Sequence, residues 1–200
     1  YAALAESGFM PLEKLKTHYQ DGSDLSGHVS HKGISGVEFS TGSLGHGLPV
    51  ASGMALAAKI DKKDHRIFVL MSDGECDEGS NWEAFLFSSH HKLDNLVAII
   101  DRNRLQSINS TEATLALEPL VDKLVSFGWN VVDLDGHNHK ELFQAMSFEN
   151  ESIDKPLCLI ANTIKGKGVS FMEGETLWHY RSPQGEEYDA AIRELKEKDA

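Results

Sequence analysis

The segments Ser72-Asp73-Gly74-Glu75-Cys76-Asp77-Glu78 and Asp101-Arg102-Asn103-Arg104-Leu105 carry the residues best suited to chemistry, and Asp73 and Asn103 stand thirty positions apart. A carboxylate, an amide oxygen and a backbone carbonyl are hard oxygen donors, which suit magnesium or calcium rather than a softer metal. Magnesium keeps phosphate oxygens among its ligands, so an ion held at these residues would let an acidic surface hold a diphosphate. Gly74 has no side chain, and its amide can be approached closely. An Asp-Gly pair after a strand is on its own usually a turn; the asparagine downstream gives the metal reading its weight.

For these residues to meet, two strand ends must adjoin. Apolar runs predict strands near 66–71, 96–101, 129–134 and 156–163, and helical periodicity predicts helices over 80–92, 118–127 and 138–148, with Ser80, Glu118 and Asn138 at their starts. A small-residue helix is expected over 46–60, able to pack closely on a sheet. Runs such as Leu96-Val97-Ala98-Ile99-Ile100 do not alternate with polar residues, as expected of parallel strands buried on both faces. The fold class is therefore α/β, a doubly wound, mostly parallel sheet flanked by helices, in which ligands sit beyond the carboxyl ends of strands. Thirty positions leave room for a loop, a helix and a returning strand. The glycine-rich stretches 42–47 and 166–168 read as functional or connecting loops, and 184–200 as a charged surface helix closing a single domain over 1–200.

A formal charge of -12 over 200 residues excludes a surface that tracks nucleic acid phosphates or anionic lipid, because either needs clustered Lys and Arg. A phosphate ligand would need a metal, a helix N-terminus or backbone amides. Cys76 and Cys158 belong to no paired-cysteine motif, which fits a reducing, cytoplasmic setting. No apolar run approaches the length that crosses a bilayer. The chain opens at Tyr1 without Met, so its natural N-terminus is expected to be missing.

Ser72-Asp73-Gly74 followed by Asn103 resembles the thiamine diphosphate motif, Gly-Asp-Gly with a later Asn. The segments "STGSLGHGLPVASGMALAAK", "EGSNWEAFLFSSHHKLDNLVAIIDRNRLQ" and "KGKGVSFMEGETLWHYRSP" resemble the N-terminal, diphosphate-binding domain of transketolase, most closely the half-length type that pairs with a separate C-terminal subunit. The resemblance implies thiamine diphosphate and Mg2+ (or Ca2+ or Mn2+) as cofactors, with Asp73 and Asn103 holding the metal through side chains and Leu105 through its carbonyl. It implies that Gly74, with Glu75 beside it, meets the diphosphate, that Asp101 orients the loop behind the ligands, and that Gly42, Ser43 and Leu44 meet the cofactor rings. His28 would reach the ketose hydroxyls, His179 would lie near the diphosphate and the substrate carbonyl, and Glu78 would join an acidic network between the two sites of a dimer. Beyond these roles, Glu75 and Asp77 are expected to be solvated.

The sequence departs from the family pattern at Ser43, His46 and Ser72, where the family prefers Pro, Gln and Gly. Ser72 is compatible with the motif only if its backbone keeps a negative φ. Lys165 and Lys167 could attract phosphate, whereas Trp82, Phe85 and Phe87 read as packing residues and His90 and His91 as exposed. The implied activity is transfer of a two-carbon ketol unit from a ketose phosphate to an aldose. The implied partner is a C-terminal transketolase-like subunit supplying the pyrimidine-binding domain and an activating glutamate, in a self-associating assembly such as a heterotetramer. Rival readings are an α-type subunit of a 2-oxo acid dehydrogenase or decarboxylase, and a non-catalytic regulatory homologue.

Overall fold

The structure, a computed structural model, describes residues 1–147 and 154–198. The chain divides into two compact units, Tyr1–His46 and Gly47–Ala200. Position 148 of one expected helix and positions 199 and 200 of another lie outside the described residues.

The first unit holds a short helix, α1 (Ala2–Glu6), a 3₁₀ turn (Leu12–Thr17) and loops. Its buried apolar side chains, Ala5, Leu25 and Ile34, are too few for a large core. Backbone bonds across its loops define its shape, among them Tyr19 N–H to the Leu25 carbonyl at 2.9 Å and Thr41 N–H to the Val29 carbonyl at 3.3 Å.

In the second unit, α2 (Gly47–Ile60) leads into β1 (Ile67–Ser72), a 3₁₀ turn (Gly74–Asp77), α3 (Gly79–His90) and β2 (Leu96–Arg102). Then come α4 (Thr111–Thr114), α5 (Leu120–Ser126), β3 (Asn130–Asp135), α6 (His139–Ser147) and β4 (Leu157–Asn162). A second 3₁₀ turn (Thr176–His179) precedes α7 (Glu186–Lys198). All strand pairs are parallel, in the order β1-β2-β4-β3. The doubly wound α/β expectation is met, and the strands fall within two residues of their expected bounds.

Period-two alternation decides what each face of β2 touches. Leu96, Ala98 and Ile100 join the main core with residues of α2, α3 and α5, while Val97 and Ile99 face a smaller cluster with Ala145 and Met146 of α6. Burial on both faces therefore holds for β2 and β4 but not for β1. Phe68 and Leu70 on that edge strand are 50% and 72% exposed among the described residues, because the small cluster under α6 is built on β2 and β4.

Small side chains let α2 and α3 approach: Ala51, Ala55 and Ala84 are buried, and the buried Ser52 and Ser88 hydroxyls bond at 2.8 Å. Aromatic rings then fix α3. Phe85 meets Trp129 edge-on at 5.1 Å, and the Trp129 indole N–H donates to the Phe85 carbonyl at 2.9 Å. Phe85 and Trp82 pack in the core as expected, and Phe87, expected as core or interface packing, is 40% exposed with its ring tilted against His91 at 4.3 Å. Glu118 does not begin a helix; it accepts the Leu120 N–H at 2.9 Å from just outside α5.

Candidate functional site

Parallel pairing sets Ser72 against Asp101, and one further backbone bond, Asp73 N–H to the Asp101 carbonyl at 3.2 Å, carries the pairing past the end of β1. The chain then turns sharply. Ser72 stays in the strand, outside the positive-φ residues, and its hydroxyl accepts the Glu75 N–H at 3.0 Å, so the serine closes the turn rather than disturbing it. Side chains from α3 hold the turn from below: Asn81 Nδ2 donates to the Glu75 carbonyl and Trp82 Nε1 to the Cys76 carbonyl, both at 2.7 Å.

Asp73 is fully buried. Its Oδ1 accepts the Gly74 N–H at 2.8 Å, and its Oδ2 accepts the Arg104 N–H at 2.6 Å and Arg102 Nη1 at 3.1 Å. Arg104 adopts a φ of 63°, an uncommon conformation for a residue with a side chain, in the same loop that turns its amide to Asp73. Burial pushes the Asp73 pKa up, while the bonds from Arg104 and Arg102 pull against that rise.

The same strand edge carries Asn103, whose Oδ1 accepts the Leu105 N–H at 3.0 Å. Asp101 Oδ1 accepts the Thr163 hydroxyl and, at 3.5 Å, Asn103 Nδ2. Asp101 therefore ties the loop to the chain after β4. Asp73, Gly74, Asn103 and Leu105 thus meet at one edge, because β1 and β2 are neighbours.

These residues fit a hard divalent ion. A carboxylate oxygen accepts about two hydrogen bonds, so Oδ1 of Asp73, with one N–H donor, and the Asn103 amide oxygen each retain acceptor capacity. Among the described residues no group of three or more His, Cys, Asp or Glu side chains forms a cage. An ion at this edge would draw on amide, carbonyl and phosphate oxygens, the mixture magnesium accepts.

Glu75 is buried and Asp77 half-buried, rather than both being solvated. Glu75 is 8% exposed, and Asp77 Oδ2 accepts Gln106 Nε2 at 2.7 Å, because the 3₁₀ turn packs these acids against α3 and the 101–106 loop. The Gln106 side chain also crosses Gly74, where an added Cβ would meet its Cγ at 3.1 Å. Glu78 is exposed at the N-cap of α3 and makes no side-chain cap bond.

Within the first unit, His28 and Gly42 are neighbours: a Cβ at Gly42 would fall 2.8 Å from His28 Cγ, so only glycine leaves the imidazole where it stands. Ser43, Leu44 and His46 are exposed in the same loop, Leu44 by 47%.

His179 ends the second 3₁₀ turn beside Tyr180, their rings 4.7 Å apart. Although His179 is exposed, the hydration it loses to its neighbours, and then the charge of Lys165, hold its pKa below the usual histidine value and keep the ring neutral near pH 7. Removing that charge favours the protonated ring. Lys165→Gln is therefore expected to move the His179 titration midpoint upward, and an unchanged midpoint in ring-proton NMR would refute the coupling.

Arg102 was missed by the sequence reading. It is 1% exposed, and besides Asp73 it donates to Thr111 Oγ1 at 2.7 Å, Glu112 Oε1 at 3.1 Å and Glu118 Oε1 at 2.8 Å. Burial works against its charge, but the bonds to Glu118 and Asp73 win and hold its pKa above the ordinary arginine value. The signal lay in the register: Arg102 follows Leu96, Ala98 and Ile100 on every second position, so β2 directs it to the main core face. Thr163 and Gln106 were also missed.

A parallel sheet that ends two adjoining strands in an Asp-Gly turn and an Asn-bearing loop defines an α/β domain of the class that places its ligand site at the carboxyl edge. The chain belongs to the family of the transketolase thiamine diphosphate binding domain, whose family model matches residues 1–198. It is 46% identical over 198 residues to an apulose-4-phosphate transketolase subunit of Phocaeicola vulgatus, covering 99% of this chain and 70% of that protein. It is 41% identical over 200 residues to a 6-deoxy-6-sulfo-D-fructose transketolase subunit of a Clostridium species, covering 100% of this chain and 73% of that protein. The crystal structure of Campylobacter jejuni transketolase superposes with a TM-score of 0.83 at 33% identity, covering 93% of this chain and 29% of that one. The chain thus spans under a third of that solved transketolase, and its family is one of transferases.

Proposed function

We propose that this chain is the diphosphate-binding subunit of a split transketolase, binding thiamine diphosphate with a divalent ion and transferring a two-carbon ketol unit once a partner completes the site. The observation that carries the reading is the bond from the Arg104 amide to Asp73 Oδ2 at 2.6 Å, which clasps the Asn-bearing loop to the Asp-Gly turn. Asp73, Asn103 and the Leu105 carbonyl would hold magnesium, and Gly74, adjoined by Glu75, would offer its amide to the diphosphate. Bound thiamine diphosphate supplies the carbanion chemistry.

The other roles fall to residues of this chain. His179, neutral near pH 7, can accept a proton or a hydrogen bond at the reacting carbonyl. His28 would orient the ketose hydroxyls, and Gly42, Ser43 and Leu44 would contact the cofactor rings. We take the two compact units together as one cofactor domain, since the family match runs over both. The exposed Glu78 would meet a second copy, giving an assembly such as a heterotetramer. The relatives' names support a ketose with an anionic terminus, phosphate or sulfonate, as the donor. A reducing, cytoplasmic compartment suits Cys76 and Cys158, both buried and unpaired, with burial pushing the Cys76 thiol up to about 12.

The test mixes this subunit with a C-terminal transketolase-like subunit, thiamine diphosphate, Mg2+ and a ketose phosphate. Ketol transfer is expected from the mixture and not from either chain alone. Turnover by this chain alone would defeat the split-site reading, and carbon dioxide release without transfer would favour a decarboxylase.

A further inference from the structure

The pairing of β3 with β4 runs past Asp135 through the bond from Gly136 N–H to the Asn162 carbonyl at 2.8 Å. The amides after β4 then part: Thr163 N–H turns to the Arg102 carbonyl on the β2 side at 3.2 Å, and Ile164 N–H turns to the β3 side. A parallel ladder would offer that second amide a strand carbonyl. Its acceptor here is a side chain, Nε2 of His137, at 2.8 Å. Gly136 lets the two chains close in, because a Cβ there would fall 2.5 Å from Thr163 Cγ2 and 3.0 Å from Ala161 Cβ.

This bond sits at the root of the segment that carries Lys165 and ends at His179. Within the segment the Gly174 N–H closes on the Lys165 carbonyl at 2.9 Å, and the Trp178 indole N–H donates to the Phe171 carbonyl at 3.0 Å, so residues 165–179 hold together as one piece. Ser170 ties the piece to Glu194 of α7, through its N–H at 2.6 Å and its hydroxyl at 2.7 Å, while Thr163 on Asp101 and Ile164 on His137 tie its root. The charge of Lys165 acts on the His179 ring, so a displacement at the root is felt there. An imidazole accepts an amide N–H only at an unprotonated nitrogen, so the bond requires a neutral His137 ring with its proton on Nδ1. A protonated ring would turn an N–H toward the amide and repel it. Histidine is the side chain that ordinarily changes charge between about pH 5 and pH 8.

Resting on the reading of His179 as the residue at the substrate carbonyl, we propose that His137 is a positioning residue: its neutral imidazole holds the root of the 164–179 segment so that Lys165 and His179 stand at the site, and its protonation releases the segment and lowers turnover. Charges on every element around the ring bear on that step. Asp133 and Asp135 of β3 and Glu141 of α6 favour the charged ring, and Lys140 of α6, Lys165 after β4 and Arg104, which reaches Asn162 at 3.1 Å, oppose it, with His139 titrating beside them. Asp135 also fixes the turn, its Oδ1 accepting the His137 N–H at 2.9 Å. Asp73 and Asn103 are held from β1 and β2, so the effect falls on kcat and the ketose KM rather than on cofactor retention.

The experiment assembles the protein with its partner subunit, thiamine diphosphate and Mg2+, and follows ketol transfer from about pH 8 to about pH 5.5. His137→Gln sets an amide oxygen near the place of Nε2, able to accept the Ile164 N–H at every pH, whereas His137→Ala removes the acceptor. His137→Ala is expected to lower kcat/KM about tenfold at pH 8, and His137→Gln to stay within about threefold of the parent there. Dividing the His137→Gln profile by the parent profile cancels the titration of His179, which both share. That ratio is expected to rise about three- to tenfold as the pH falls. A ratio flat within about twofold, or His137→Ala within about twofold of the parent at pH 8, overturns the proposal. Amide NMR on the assembly, labelled in this subunit alone, separates the two levels. The Ile164 resonance is expected to follow the His137 ring titration and to stay in place in His137→Gln. An amide that ignores the ring sinks this inference alone, whereas a parent assembly that transfers no ketol unit at any pH sinks the functional reading beneath it.

Discussion

Asp73→Ala abolishes metal-dependent binding of thiamine diphosphate: that is the expected result of removing the fully buried carboxylate at the edge shared by β1 and β2. The substitution deletes an anionic ligand and strands three donors, the Gly74 and Arg104 amides and one arm of the Arg102 guanidinium. Breaking a buried ion pair from one side costs about 3–5 kcal/mol, because the charge left behind has lost its partner. Glu112 and Glu118 still hold Arg102 and reduce that cost, so the protein is expected to melt earlier yet fold. Asp73→Asn keeps the shape and isolates the charge. Calorimetric titration of thiamine diphosphate across a magnesium series reads the effect directly, and an affinity equal to the parent in Asp73→Ala would overturn the assigned role.

Trp129→Ala is expected to lose about 3–5 kcal/mol, the usual range for truncating a buried aromatic residue. Trp129 is 2% exposed, and both its ring contact and its indole N–H are spent on Phe85. The Phe85 carbonyl would be left without that donor, adding to the cavity term. Domains of this size are stable by about 5–15 kcal/mol, so such a loss is a large share of the total. The consequence reaches the site through α3, because Trp82 and Asn81 on that helix hold the turn that follows Asp73. Urea unfolding followed by circular dichroism gives the magnitude. A loss under about 1 kcal/mol would mean that the Phe85–Trp129 pair is not what fixes α3.

The legible part of the fold was the part written as periodicity. Apolar runs such as 96–100 read as buried strands because β2 is packed on two faces, and β1 read the same way although Phe68 and Leu70 are exposed. Apolar composition tells which residues tolerate burial, and only packing tells which are covered. The acids of the opening turn show the same limit. Glu75 and Asp77 read as solvated from their charge, yet the turn between β1 and α3 carries them inward, where Gln106 meets Asp77 and Asn81 meets the Glu75 backbone.

What the sequence by itself determined is the set of chemical groups and their order along the chain: an Asp-Gly turn after one strand, an Asn-bearing loop after the next, and enough residues between them for a helix to return the chain. Local propensity and strand alternation suffice for that, since both act over a few residues. Tertiary structure alone decided that β1 and β2 pair in parallel, so that Asp73 receives the Arg104 amide, and that a lone arginine at the end of an apolar strand is bound by three carboxylates. Those partners come from positions 73, 112 and 118, and bonds across such separations depend on how the whole chain packs rather than on any segment of it.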